Sequence, residues 1–117
     1  MTDLAALIAR LEAAERGSRA LDIDIYYDAL GNPDEVGFCK HCGSHRFVVM
    51  PEFTSSIEAA LMLVPRDSMW DVESRGMAYV GPANAPSRQF HRGATPALAL
   101  CIAALKQRVH EHPAGPA

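Results

Sequence analysis

The C-terminal stretch "TPALALCIAALKQRVHE", residues 95–111, constrains the fold more than any other part of the chain. Thr95 is a favourable N-cap and Pro96 stands at the first helical position, an arrangement typical of helix starts. The predicted helix carries an apolar stripe on one face: Leu98, Cys101, Ile102, Leu105 and Val109. This stripe needs a cover. We expect a sheet to provide it, with Cys101 as a small buried thiol.

Two helices are predicted near the N-terminus, and Thr2 can cap the first of them. Its apolar residues recur at helical spacing on one stripe: Leu4, Leu7, Ile8 and Leu11. Gly17 is a natural stop, and Ser18 can cap a second helix through "RALDIDIYYDAL". Asp22 and Asp24 lie in the first turns of that helix, where its dipole favours acidic residues. We interpret them as dipole partners on the solvated surface rather than as a catalytic pair.

The middle of the chain changes from helical to strand periodicity. Ser55 and Glu58 form a capping box at the start of "IEAALMLV", and Pro65 limits the length of that helix. In "MWDVES", Trp70 and Val72 alternate with acidic residues, which predicts a half-buried strand. Two further short strands are predicted at "MAYVG" and "RQFHR".

Turn signals separate these strands, and their aromatic residues have alternating polar neighbours. Arg75–Gly76 predicts a tight turn, and "GPANAPS" predicts a second one. We interpret Trp70 and Phe90 as aromatic anchors in the core rather than as stacking platforms for bases. Trp70 and Val72 are expected to be buried together with the apolar stripe of the last helix.

The predicted order of elements is α–α–loop–α–β–β–β–α. Three short antiparallel strands would bury one face under helices, which makes the fold an α+β sandwich. At 117 residues the chain has the size of one ordinary domain. We expect this domain to span residues 1–112, with a loop at residues 31–53, and residues 113–117 to form a disordered tail.

Three stretches carry a resemblance to a known family: "LAALIARLEAAERGSRALD", "FTSSIEAALMLVP" with the Trp that follows it, and "ATPALALCIAALK". Together they resemble the phage "ABA sandwich" domain proteins, small proteins of bacteriophages and prophages. The resemblance extends over nearly the whole chain. It implies an α/β/α layered sandwich, and it implies no particular reaction because the family has no assigned activity.

The stretch "FCKHCGSHRF" predicts a candidate zinc knuckle. Cys39 and Cys42 have the spacing that lets two thiolates bind one ion, and His45 is the best third ligand. His41 is a poorer choice, and the fourth ligand would be water, His91 or a group from a second chain. Two alternatives stay open, a loop with reduced thiols and a thioredoxin-like redox pair. Because structural sites normally offer four strong ligands, we expect no stoichiometric zinc and no other cofactor.

The chain lacks the sequence signatures of the main enzyme classes. No G-x-S-x-G elbow is present, so a hydrolase of that type is not indicated. No GxxxxGK[ST] or GxGxxG loop is present either, so nucleotide binding has no support. We therefore predict that the protein is not an enzyme.

The distribution of charge argues against a strong nucleic-acid binder. Residues 1–38 carry eight acidic and three basic side chains, and residues 39–117 carry six acidic and eight basic ones. Neither part has the dense basic charge that phosphate contacts require. The order helix, three strands, helix is similar to that of double-stranded-RNA-binding domains, but the usual lysine cluster at the last helix is missing. Nucleic acid is thus an improbable partner, although Arg75, Arg88 and Arg92 fall on the predicted hairpins.

The sequence favours a small phage- or prophage-type accessory protein that acts by binding. Its partner would be another protein or a second copy of itself. The alternative is a zinc-stabilised module associated with nucleic acid. The N-terminus lacks a signal peptide and a membrane span, and three cysteines make no disulfide framework. We therefore expect a cytoplasmic location in a bacterial host cell and no membrane partner.

Overall fold

The computed structural model describes residues 4–29 and 51–111. The predicted Thr2 cap and the predicted tail at residues 113–117 lie outside them. Of the predicted loop at residues 31–53, residues 31–50 lie outside them as well. The described elements are α1 (Leu4–Ala13), α2 (Arg19–Ala29), α3 (Ile57–Ala60), a 3₁₀ turn (Leu61–Leu63), β1 (Met69–Glu73), β2 (Met77–Gly81), β3 (His91–Arg92) and α4 (Pro96–Glu111). None of the described helices is long and apolar enough to cross a membrane.

Helix α4 is the element around which the others pack. The Thr95 Oγ1 accepts a hydrogen bond from the Leu98 N–H at 3.2 Å, which confirms the predicted cap. Every residue from Ala97 to Leu105 is buried, so this part of the helix is covered on all sides and not only along the predicted stripe. α4 contacts all three strands and also α1, α3 and the 3₁₀ turn. The element order and the α+β class are therefore confirmed.

The sheet is antiparallel, with its strands in the order β1–β2–β3. The hairpin between β1 and β2 closes where the Gly76 N–H donates to the Glu73 carbonyl at 3.0 Å. Gly76 has a φ of 87°, a conformation that side chains disfavour, so this position requires glycine. Gly93 permits a close approach to α4, because a Cβ there would lie 2.6 Å from the Ala99 nitrogen.

A segment after β2 covers the face of the sheet that points away from α4. The Tyr79 hydroxyl donates to the Pro82 carbonyl at 2.8 Å, and the Phe90 ring lies 6.0 Å from the Tyr79 ring. The Arg88 guanidinium lies 5.3 Å from the Tyr79 ring centre and 3.6 Å from the Asp71 carboxylate. Phe90 is thus half-buried on this outer face, and its prediction as an anchor of the main core is wrong.

A buried carboxylate joins α2 to the turn that leads into α3. Asp22 is only 4% exposed, and its Oδ1 accepts hydrogen bonds from the Thr54 N–H at 2.8 Å and the Thr54 hydroxyl at 2.6 Å. The Thr54 Oγ1 in turn accepts from the Ser18 N–H at 2.9 Å. The prediction that Asp22 lies on the solvated surface is therefore wrong. Asp24 does lie at the surface, where it pairs with Arg10 at 2.7 Å.

Trp70 is 44% exposed, which corrects its prediction as a buried core anchor. It lies opposite Val80 in the register of the sheet, and Val80 is buried in the core. Trp70 therefore points to the same face, but β1 is an edge strand and α4 packs mainly on β2. Val72 is partly buried against the core, so its predicted side is confirmed.

Two predicted boundaries shift. The N-cap of α3 is Ser56, whose Oγ accepts from the Ala59 N–H at 3.2 Å, so the capping box predicted at Ser55 and Glu58 is wrong by one residue. The third strand was predicted over residues 88–92, and only His91–Arg92 pairs with β2. The cap predicted at Ser18 is confirmed, because its Oγ accepts from the Leu21 N–H at 3.2 Å.

Removing bulk from the centre of α4 should destabilise the protein strongly. Ile102 has 0% exposure, so Ile102→Ala removes buried methyl groups and leaves a cavity. We expect a loss of about 2–5 kcal/mol in the free energy of unfolding, measured by urea denaturation. Met62→Ala is the control, because Met62 is 57% exposed and its truncation should cost less than about 0.5 kcal/mol. Equal losses in the two variants would contradict this packing.

Removing the buried carboxylate should cost more than removing its exposed neighbour. Asp22→Ala leaves the buried Thr54 N–H without its acceptor, and we expect a loss of about 1–3 kcal/mol in urea denaturation. Asp24→Ala breaks only the half-exposed pair with Arg10 and should cost at most about 1 kcal/mol. A larger loss for Asp24→Ala than for Asp22→Ala would show that the Asp22–Thr54 contact does not hold these segments together.

Candidate functional site

The candidate zinc ligands Cys39, Cys42 and His45 lie outside the described residues, so their prediction stays a prediction. Within residues 4–29 and 51–111, no group of three or more His, Cys, Asp or Glu side chains is placed to hold a metal ion. His91, a candidate fourth ligand, lies on β3 beside α4.

The thiol of Cys101 is buried in the middle of α4. Its Sγ donates a hydrogen bond to the Phe53 carbonyl at 3.0 Å, which ties α4 to the turn that also holds Thr54. Burial, together with the nearby Asp22 carboxylate, raises the pKa of this thiol to about 12. The thiol is therefore protonated at neutral pH, and its role is in packing, as the sequence predicted.

Two of the predicted hairpin arginines contact acidic side chains of the same sheet. Arg75 lies 3.3 Å from Glu73 at the exposed end of the first hairpin. Arg88 lies against Tyr79 and Asp71 on the outer face. Arg92 is exposed on β3. Since acids partly neutralise two of the three, these arginines do not form one continuous basic surface.

The outer edge of β1 is the first candidate binding surface. No described residue pairs with this edge. The Gly76-to-Glu73 hydrogen bond shows that the backbone groups of Glu73 face β2. In an antiparallel pair these groups alternate, so the N–H and C=O groups of Trp70 and Val72 point outward. The exposed Trp70 side chain stands on the same edge. This edge therefore offers backbone hydrogen bonds and an aromatic contact together.

A cleft at the opposite side of the sheet is the second candidate. It has a volume of about 330 Å³ and lies between the C-terminal half of α4 and the segment that leads into β3. Its polar lining residues are Ser87, Gln89, His91, Lys106, Gln107 and His110, with Tyr79 at the side of the sheet. Of the residues that the structure describes, no aspartate or glutamate lines it.

His91 and Lys106 also line an adjacent hollow, whose volume is about 490 Å³ and which includes Glu12. The Lys106 Nζ lies 2.9 Å from the Glu12 Oε2, and both side chains are partly exposed. Burial lowers the pKa of His91, and the charge of Lys106 lowers it further, while Glu12 opposes them. The neutral form of His91 is therefore favoured. The sequence offered no signal for the cleft, because its residues are spread over three elements and a loop.

Comparisons with known protein families, with curated proteins and with solved structures give no match. The resemblance to the phage ABA sandwich proteins therefore stays a prediction from the sequence.

The buried thiol of Cys101 should be unreactive in the folded protein. In a Cys39→Ser/Cys42→Ser background it is the only thiol. A pKa of about 12 instead of 9.0 lowers its thiolate fraction, so alkylation by iodoacetamide at pH 8 should be about 1000-fold slower than in urea. Comparable rates in the folded and unfolded protein would contradict this burial.

The same pKa shift predicts how stability depends on pH. Because the folded state favours the protonated thiol, its contribution is complete below pH 9.0 and is lost as the pH rises towards about 12. The free energy of unfolding should therefore fall less steeply over this range in Cys101→Ala than in the Cys101 parent.

Proposed function

We propose that the protein acts by binding, and that it adds an extended segment of a partner protein to the outer edge of β1. The exposure of Trp70 on a strand edge with which no described residue pairs is the observation that carries this proposal. Outward N–H and C=O groups pair naturally with another strand, a recognised mode of peptide binding. Aromatic residues such as Trp are frequent anchors of protein interfaces.

The two faces of β1 specify what the partner segment should contain. Trp70 and Val72 lie on the side of α4, so residues opposite them should be apolar. Met69, Asp71 and Glu73 alternate with them and lie on the outer face. Residues opposite the two acids should be basic. The expected segment therefore alternates apolar and basic side chains.

Charge favours a different protein over a second copy of the chain. If two β1 strands paired antiparallel so that Trp70 lay opposite Val72, each Asp71 would lie directly opposite the Asp71 of the other copy. Like charges in this position destabilise a strand pair. The Asp71–Arg88 distance of 3.6 Å reduces this repulsion without removing it. A basic segment gains from the same acids.

The wider setting of this proposal rests on the sequence. The phage- or prophage-type accessory role and the cytoplasm of a bacterial host are expected from the resemblance. The alternative, a zinc-stabilised module for nucleic acid, depends on Cys39, Cys42 and His45, and none of the described residues adds support to it.

Trp70 is the only tryptophan of the chain, so its fluorescence reports directly on this edge. The probe is a short, terminally blocked peptide in which valine and lysine alternate. We expect saturable binding with a shift of the emission maximum to shorter wavelength, because the indole leaves water. A peptide of the same length with a proline at its centre is the control and should give no shift.

Two protein variants separate strand pairing from unspecific attraction. Val72→Pro removes one outward N–H and leaves the β1–β2 hydrogen bonds intact, so it should abolish the shift, whereas Val72→Ala should retain it. Glu73→Lys leaves one acid and one base on this face, so it should abolish the preference for the lysine peptide over a peptide in which valine and glutamate alternate. Folding of each variant is checked by circular dichroism.

Two outcomes would overturn the proposal. Equal binding of the peptide by Val72→Pro and Val72→Ala would show that the peptide does not bind by adding a strand to β1. A concentration-dependent dimer in sedimentation, lost in Val72→Pro, would show that the occupant of the edge is a second copy rather than a partner protein.

A further inference from the structure

We infer that the cleft between α4 and the segment leading into β3 binds a small oxyanion, a carboxylate or a phosphate group. Its polar wall consists of side chains that can donate hydrogen bonds, Ser87, Gln89, His91, Lys106, Gln107 and His110. Among the described residues no carboxylate lines it, although acidic side chains outnumber basic ones in the chain. This site is separate from the β1 edge and does not depend on the proposed function.

The geometry of α4 directs its polar groups into the cleft. Lys106, Gln107 and His110 follow Ala103 by three, four and seven residues, so all four share one face of the helix. His91 approaches from the other wall, because it pairs with Ala78, a core residue, and thus points towards α4. The volume of about 330 Å³ fits a small molecule and not a folded partner.

Lys106 is held in place by an interaction that a ligand can replace. Its partner Glu12 belongs to the adjacent hollow and does not line the cleft itself. The side chains are 37% and 45% exposed, and ion pairs of this kind contribute little to stability. An oxyanion in the cleft would therefore compete with Glu12 for Lys106 at small cost.

His91 couples anion binding to proton uptake. The groups that face it are Lys106 on α4, Glu12 on α1 and, across the cleft, His110, with Arg92 as its neighbour on β3. Burial and Lys106 both disfavour its charged form and lower its pKa. A bound anion favours the charged form, so the pKa of His91 should rise on binding. By linkage, binding should strengthen as the pH falls through the pKa of the bound state.

Histidine NMR tests this inference on the full chain. The imidazole signals are followed during pH titrations in inorganic phosphate, in succinate and in sodium chloride at equal ionic strength, with His91 assigned from a His91→Gln variant. We expect saturable shifts at His91 and His110 and a raised His91 pKa with phosphate or succinate, and no such change with chloride. A response to phosphate alone or to succinate alone supports the site and identifies the class of anion.

Two substitutions in one ion pair should act in opposite directions. Lys106→Gln removes the cation, and we expect binding to weaken about 10-fold or more. Glu12→Gln removes the competing acid and should strengthen binding about 2- to 5-fold. A purely structural role for the pair would give losses in both variants.

Three results would overturn the inference: shifts of the same size in chloride, no response to either oxyanion, or unchanged affinity in Lys106→Gln. The Trp70 fluorescence distinguishes binding in the cleft from binding at the β1 edge. It should not respond to phosphate or succinate, so failure of one site leaves the test of the other intact.

Discussion

The burial of α4 on every side is the constraint on which the rest of the structure depends. A helix covered from Ala97 to Leu105 needs a sheet, a second helix and a connecting segment around it, and each must approach closely. Small residues permit this approach. Gly93 brings the end of β3 against the backbone at Ala99, where a Cβ would collide. The apolar surface that these contacts remove from water is the main source of the stability of the fold.

A buried polar cluster of Asp22, Thr54 and Cys101, together with the Phe53 carbonyl, holds the turn at residues 53–54 between α2 and α4. Asp22 holds the backbone and hydroxyl of Thr54, while Cys101 donates to the carbonyl of Phe53. Two adjacent residues thus connect α2 and α4 through their backbone groups. A buried carboxylate without such donors would be destabilising, so this polar cluster also determines which turn can lie there. The raised pKa of Cys101 is a consequence of the same burial.

What the sequence could predict was local. The caps at Ser18 and Thr95 and the turn at Gly76 depend on neighbouring residues alone, and all three are confirmed. Asp22 could not be predicted, because an acid in the first turn of a helix looks the same whether it meets water or a distant Thr N–H. For Trp70, the alternation of apolar and acidic residues along β1 predicted the correct face of the sheet but not how much of the side chain α4 would cover. The cleft was missed for the same reason, since its members are adjacent only after folding.

The position of α4 on the sheet gives both candidate sites a common cause. The helix packs mainly on β2, and its C-terminal half lies beside the segment that leads into β3. On that side Lys106 of α4 and His91 of β3 line the cleft. On the other side the helix covers β1 only in part, so Trp70 remains exposed. A helix centred on β1 would bury the tryptophan and open the cleft, so one packing choice determines both surfaces.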